Sequence, residues 1–310
     1  MTRLLLAELR RIMARRLVRL SIVLAAVGIA VGGGAAYLSS GALSQSAYEQ
    51  RVADAEARGL AARVEVEDCL RAHGITPDDR KQIPDDVVDA CFPNTDNTAD
   101  DPRFYRKDLK GLLQGVTGGL AIVGWTLGAS LVGAEFASRS MTTLLTWEPR
   151  RLRVFLAKAV AVLLATALFA VVALLVFIVA MLPTLALHGG PLRPNDPSVT
   201  TLAGIVLRGT ALAAIAAGLG FSLATIGRNT AAALGAGFAY VIVFENIIGG
   251  YKESSRRWLL LGNVIVFVAG RNDGGDVPGR TVAGAALILA LVAVTLLAAA
   301  FGTFRARDIS

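Results

Sequence analysis

The sequence predicts an all-α polytopic membrane protein with six transmembrane helices. Of its 310 residues, 54% are hydrophobic and only 18% are charged, whereas about a quarter of the residues in a typical soluble domain are charged. The hydrophobic residues also collect in runs of roughly twenty, the length that a helix needs to cross a hydrocarbon core. These observations exclude an ordinary soluble domain. Arginines beside the spans account for much of the net charge of +7, so the charge does not indicate nucleic-acid binding.

The chain begins with an amphipathic segment, residues 1–16, which we expect to lie in the cytosolic membrane interface. Leu9 and Ile12 share one helical face, while Arg10 and Arg11 point largely the other way. The alternative is that this segment is only a basic flank of the first span.

The first span covers residues 17–39, and its apolar run is too long for the core of a cleaved signal peptide. A long polar loop, residues 40–110, follows, and we expect it to be extracytoplasmic. The chain's two cysteines, Cys69 and Cys91, both lie in this loop, which predicts a disulfide. His73 is four residues from Cys69, but three soft ligands without a fourth make a poor zinc site, so we expect no metal.

The remaining spans and their short connections occupy residues 111–310. These spans cover residues 112–134, 154–182, 202–226, 231–248 and 281–301. Pro183 is expected to open a short outer loop after the third span. An apolar stretch at about 256–269 is too short to span, so we expect it to be re-entrant, with a packed outer loop as the alternative.

Positive charge beside the spans predicts their orientation. Basic residues cluster at the N-terminus, after the second span, at Arg228 and at the C-terminus. The positive-inside rule makes these clusters cytosolic, so we expect a multi-pass plasma-membrane protein with both termini cytosolic. One group between the fifth and sixth spans, which includes Arg257 and Arg280, does not follow the rule. The residues that we expect at the membrane surface are Arg10, Arg11, Arg150, Arg151, Arg153 and Lys158.

Two charged residues near the outer ends of spans need an explanation, because charge is costly there. Arg208 lies several residues inside the fourth span, and Glu245 lies near the outer end of the fifth. One interpretation is a gating or substrate contact in the transport pathway, with Glu245 as the partner of Arg208. The alternative is a side chain that reaches the outer interface or pairs with a neighbouring helix.

The sequence contains no recognisable catalytic constellation. His73 and His188 are its only histidines, and no G-x-x-x-x-G-K-[ST] phosphate-binding loop is present. We therefore expect that the chain is not an enzyme, binds no cofactor itself and does not hydrolyse ATP.

The loop between the second and third spans resembles the corresponding loop in permeases of the type-2 ABC exporter family. Glu135, Met141-Thr-Thr-Leu-Leu, Pro149, Arg151 and Lys158 follow the family's order of a Glu, a small pair, Leu-Leu, a Pro, an Arg and a Lys. Met-Thr stands where Gly-Thr is usual. The interfacial helix, the spans and the short apolar element also match the family layout. The large outer loop looks like an insertion.

The resemblance implies a transport function. Residues of about 139–147 would form a coupling helix that docks in a separate ATPase subunit, which binds the ATP and Mg. A pair of ATPases and a second permease, identical or different, would complete the exporter. The residues that the resemblance and the loop's composition indicate at the docking surface are Glu135, Arg139, Met141, Thr142, Thr143, Leu144 and Trp147.

The alternatives to an exporter are a receptor or assembly factor, a secondary transporter and a lipid-modifying enzyme. A membrane receptor or assembly factor would act through the outer loop and its disulfide. A secondary transporter would usually carry intramembrane carboxylates or broken spans, and a lipid-modifying enzyme would need His, Asp or Cys at the membrane face. Because the spans carry few fixed charges, an amphiphilic cargo such as a drug, lipid or glycolipid is favoured over a small ion.

Overall fold

The computed structural model is all-α across the residues that it describes, and six of its helices are long and apolar enough to cross a membrane. The polytopic helical fold predicted from the sequence is therefore confirmed.

The described residues are 2–72, 91, 101–138, 140–141, 146, 150–193, 196–248, 257–270, 277 and 279–306. Their helices are α1 (Thr2–Ala14), α2 (Arg16–Ser39), α3 (Gln45–Ala72), α4 (Arg106–Ala137), α5 (Arg151–His188), α6 (Val199–Gly227), α7 (Thr230–Tyr240), α8 (Leu260–Ala269) and α9 (Val282–Ala306).

The membrane-crossing helices are α2, α4, α5, α6, α7 and α9. Helix α7 reaches the necessary length because a π-helical segment, Val241–Ile248, continues it. Helix α8 has 10 residues and is therefore too short to cross a hydrocarbon core of about 30 Å. The turn between α6 and α7 is tight: Arg228 adopts a left-handed backbone (φ 51°) and Asn229 caps α7 by accepting from the Ala231 N–H.

Two segments differ from the sequence-based expectation. The polar outer loop contains the 28-residue helix α3, which is rich in alanine, glutamate and arginine and has no proline within it. Helix α5 does not stop before Pro183 but continues through it to His188. Neighbouring groups can satisfy the backbone carbonyl that a proline frees inside a membrane helix.

The chain divides into two compact units. The first comprises Met1–Gly34, Arg106–Leu182 and Leu192–Ser310, and the second comprises Ala35–Tyr105 and Pro183–Pro191. Each is described separately below.

The first unit is centred on a close contact between α4 and α6. A methyl group at Gly128 would collide with the backbone carbonyl of Ala217, and one at Gly220 would collide with that of Trp125. Only glycine allows the two backbones to approach so closely. Helices α4 and α6 are accordingly the most buried spans. In each of them, 50% and 44% respectively of an apolar 18-residue stretch is buried.

The N-terminal helices join the core of the first unit near one end of α5. Ile12 of α1 and Val18 of α2 are buried in the same cluster as Phe155. The Phe155 ring lies 5.4 Å from that of Phe221 in α6 and 5.8 Å from that of Phe304 in α9. The same cluster contains buried residues of α4 and α7, so all six spans and the amphipathic helix α1 share a continuous apolar core.

The second unit carries the disulfide and a buried ion pair. Arg103 is 5% exposed, and its Nε donates to Oδ1 of Asp101 at 2.9 Å. The same guanidinium lies 4.1 Å from the centroid of the Tyr48 ring in α3. Burial raises the pKa of Asp101, but hydrogen bonds from Arg103 and Tyr105 outweigh this effect and lower the pKa to about 2.

Candidate functional site

A buried cluster of charges lies beside the loop that carries the family-like motif. Its centre is Lys158 in α5, which is 4% exposed. The Nζ atom of Lys158 lies 2.9 Å from Oε1 of Glu8 in α1 and 2.7 Å from Oε2 of Glu135 in α4. Both carboxylates are 6% exposed. One ammonium group therefore joins three helices.

Arg15 adds a second cation. Its guanidinium donates to Oε1 of Glu135 at 2.8 Å and to the backbone carbonyl of Leu131 at 2.9 Å. Arg15 stands at the break between α1 and α2, so this contact fixes the bend against the last turns of α4. Arg11, which is mostly exposed, reaches Glu8 at 3.4 Å. The ion cluster, as we call it below, consists of Glu8, Arg11, Arg15, Glu135 and Lys158.

The two contacts that Glu135 makes are not equivalent. Arg15 approaches its Oε1 with hydrogen-bond geometry, whereas Lys158 lies at ion-pair distance from Oε2 without forming a directed hydrogen bond. Attraction at that distance is strong when both groups are removed from water. We therefore assign Lys158 and Glu135 an ionic contact rather than a hydrogen bond.

The local sequence explains why these side chains meet. Glu8 and Ile12 are four residues apart on α1 and so share its buried face. Glu135 lies in the last turn of α4 and Lys158 near the start of α5, so the loop between these helices brings both residues to the same end of the spans.

The ion cluster encloses very little space. Its residues line a cavity of ≈ 10 Å³, about the room that one water molecule needs. A drug or lipid cannot bind in so small a space. The arrangement is instead suited to holding α1, α4 and α5 in a fixed relation.

Sequence reasoning missed Glu8 and Arg15. Glu8 is the only acid in a helix with several arginines, and it falls on the apolar face with Leu9 and Ile12. An acid on the buried face of a basic amphipathic helix was the signal that could have indicated an internal cation as its partner.

The structure corrects the environment predicted for Lys158. We expected its ammonium group to reach the membrane surface, but it is buried and satisfied by two carboxylates. Arg10, Arg150 and Arg153 are exposed, as a surface role requires. Arg151 donates to the backbone carbonyl of Arg305 at 3.0 Å, and so ties the start of α5 to the end of α9.

The predicted docking residues are only partly described. Glu135 is buried in the ion cluster and Met141 is 3% exposed, so neither side chain offers a free surface in this conformation. Ser140 and Thr146 are exposed. The residues of this prediction that lie outside the described part of the chain are Arg139, Thr142, Thr143, Leu144 and Trp147.

The predicted pair of Arg208 and Glu245 is not formed. The Glu245 carboxylate accepts instead from the backbone N–H of Leu261 at 2.7 Å, at the start of α8. The Arg208 guanidinium packs against Gly270, the left-handed cap at the other end of α8. Arg208 makes no ion pair with any described acid, and its buried Nε has no hydrogen-bond partner.

The disulfide prediction is confirmed, because Cys69 and Cys91 are bonded. His73, the third ligand of the alternative metal site, lies outside the described residues. Within the described part of the chain, no group of three or more His, Cys, Asp or Glu side chains is placed to hold a metal ion.

Comparisons with protein-family models, with curated proteins and with solved structures found no match to this chain.

Proposed function

We propose that the chain is the membrane-spanning permease subunit of an ABC exporter, working with a separate ATPase and a second permease. The observation that carries the proposal is the ion cluster, in which Lys158 joins Glu8 of α1 to Glu135 of α4. Helices α4 and α5 flank the predicted coupling loop. A displacement of that loop would therefore reach α1, α4 and α5 together.

The proposed mechanism is a two-state change driven from outside the membrane. ATP-driven closure of the ATPase pair would favour one position of the coupling loop, and the linked helices would follow. In this scheme Glu135 positions the loop from within and does not itself dock. The docking surface would be formed by the residues of 139–147 other than the buried Met141. These include Ser140 and Thr146, which are exposed.

Co-purification tests this proposal. The tagged chain is extracted in mild detergent, and the proteins that accompany it are identified by mass spectrometry. We expect a stoichiometric ATPase with the parent chain and its loss with Arg139→Glu or Ser140→Arg. Arg63→Glu on the exposed face of α3 changes the charge of the second unit and not of the predicted coupling loop, and it should keep the ATPase. If several detergents recover no ATPase, the proposal fails.

A second measurement separates docking from coupling. Glu8→Gln removes one carboxylate from the ion cluster without changing the loop. We expect this variant to retain the ATPase but to lower the ATP hydrolysis that the permease stimulates. A variant that loses the ATPase altogether would instead place α1 in the docking surface.

The cargo that we propose is amphiphilic, because the spans carry few fixed charges. Photo-crosslinking groups placed along the spans should then recover drugs, lipids or glycolipids. Recovery of polar solutes alone would contradict this part of the proposal.

A receptor or assembly role is the second candidate, and the second unit is the observation that favours it. The disulfide and the buried Arg103 give this unit a fixed local structure outside the spans. An extracytoplasmic protein that co-purifies with the parent chain but not with Cys69→Ser, in the absence of any ATPase, would favour this role.

A further inference from the structure

The arginines between the fifth and sixth spans are the exception to the charge pattern of the chain. Arg257 precedes α8, and Arg280 precedes α9. Because they do not fit the rule that orients the other basic clusters, orientation alone does not explain them. Their surroundings in the structure suggest a different role.

Both guanidinium groups lie beside one exposed aromatic ring. Cζ of Arg257 is 5.6 Å from the centroid of the Trp258 ring, and Cζ of Arg280 is 5.9 Å from it. Trp258 is 65% exposed. Tryptophan is enriched at membrane interfaces, at the depth of the lipid headgroups. We call Arg257, Trp258 and Arg280 the arginine–tryptophan site.

Buried hydrogen bonds hold this site in place. The Asn263 side chain in α8 is fully buried, and its Nδ2 donates to the backbone carbonyls of Arg257 at 3.0 Å and Leu259 at 2.6 Å. Arg280 also donates to the carbonyl of Arg257. The backbone that carries Arg257 is thus fixed from two sides before any ligand binds.

The positive charge of the site is not compensated within the described residues. Neither Arg257 nor Arg280 forms an ion pair with an acid in that part of the chain, and Nε of Arg280 is buried without a hydrogen-bond partner. Arg257 is exposed and Arg280 is half-buried, and two cations beside one ring repel each other. An anion bound beside the ring would offset this repulsion.

We propose that the arginine–tryptophan site binds a phosphate ester. Guanidinium groups form parallel pairs of hydrogen bonds with phosphate oxygens, and basic pockets between membrane helices bind anionic headgroups. An exposed tryptophan such as Trp258 is typical of the depth at which such headgroups lie. The ester is carried either by a membrane lipid or by a water-soluble molecule. This inference does not depend on the exporter proposal.

Quenching of Trp258 fluorescence by brominated lipids tests the proposal in the full chain. The signal of Trp258 is the difference between the parent chain and Trp258→Phe, so the other tryptophans remain in place. Brominated phosphatidylglycerol is compared with brominated phosphatidylcholine, which has no net charge. We expect phosphatidylglycerol to be preferred roughly tenfold, and the Arg257→Gln/Arg280→Gln variant to lose this preference.

A competition experiment distinguishes a lipid from a soluble phosphate ester, and two further variants serve as controls. Displacement of phosphatidylglycerol by soluble glycerol 3-phosphate indicates that the ester alone is recognised, whereas failure to displace it indicates a lipid ligand. Arg305→Gln removes charge at the other end of α9 and should keep the preference. The Arg257→Lys/Arg280→Lys variant retains the charge and should keep it in part. Equal quenching by both lipids in the parent chain would overturn the proposal.

Discussion

Two groups of charged side chains in the first unit differ in whether their cations are paired with acidic residues. In the ion cluster, Lys158 and Arg15 face carboxylates at 2.7–2.9 Å. In the arginine–tryptophan site, Arg257 and Arg280 lie beside one ring, Arg280 donates to the backbone carbonyl of Arg257, and neither has a described acid as a partner. Charges removed from water are stable only when they are paired. The buried ion cluster therefore holds the chain's own helices together, whereas the arginine–tryptophan site, in which Arg257 is exposed, is open to an external anion.

The largest effect that we predict is that of Lys158→Met. The substitution leaves Glu8 and Glu135 buried without their shared cation, and breaking one side of a buried pair costs roughly 3–5 kcal/mol. We expect a large fall in the thermal midpoint of the detergent-solubilised chain. Arg153→Gln, an exposed position on the same helix, is the matched control and should change the midpoint little. Equal midpoints for the two variants would show that the cluster does not stabilise the fold.

The contact between Arg15 and Glu135 is the next test of pairing. A double-mutant cycle with Arg15→Gln and Glu135→Gln should give a coupling free energy of roughly 2 kcal/mol, within the range for residues in direct contact. The free energies of unfolding of the four chains supply the cycle. Strictly additive effects would mean that each residue stabilises the fold through other neighbours, such as the Leu131 carbonyl that accepts from Arg15.

The sequence was sufficient to predict the spans, because a run of apolar residues is a property of the chain alone. It was also sufficient for the disulfide between Cys69 and Cys91, since no other cysteine was available. It failed at Pro183, where the local rule that proline ends a helix gave way to the surrounding structure. It also gave no indication of α3, a helix rich in alanine within the polar loop of residues 40–110.

The ion cluster could not be predicted because its contacts join residues far apart in the chain. Lys158 and Glu8 are 150 positions apart, and Arg15 and Glu135 are 120 apart. A lysine near the end of a span can extend to the membrane surface or pair with an acid inside the protein. The sequence does not distinguish these possibilities for Lys158, because they depend on how the helices pack. The same ambiguity applies to Glu245: the sequence allows it to be the partner of Arg208, although its carboxylate accepts from the Leu261 N–H in the first turn of α8 in the structure.

Arg208 should respond to substitution with the opposite sign to Lys158. Its buried Nε lacks a partner, so Arg208→Leu removes an unsatisfied donor, and we expect the free energy of unfolding to rise by roughly 1–2 kcal/mol. Thr210→Val, which removes another buried oxygen without a partner, is the companion variant and should give a smaller gain. A clear loss of stability with Arg208→Leu would show that the arginine has an internal partner. Loss of transport with a gain in stability would favour a role in the substrate pathway.

The last prediction concerns Asp101 and Arg103, which are paired in the second unit. The pKa of Asp101 in the folded chain is about 2, below its usual 3.8. A carboxylate with a lowered pKa stabilises the fold fully above its usual pKa, and this contribution is lost as the pH falls towards about 2. Asp101→Asn should therefore lower the free energy of unfolding by roughly 1–2 kcal/mol near neutral pH, and the difference from the parent should vanish between about pH 4 and pH 2.

The rate of proteolysis within the second unit, measured across this range with a pepsin-type protease below pH 4, would report the change. A difference that persists at the acid end would mean that Asp101 acts through its shape and neutral hydrogen bonds. Pairing of charge would then matter less outside the membrane than it does in the ion cluster.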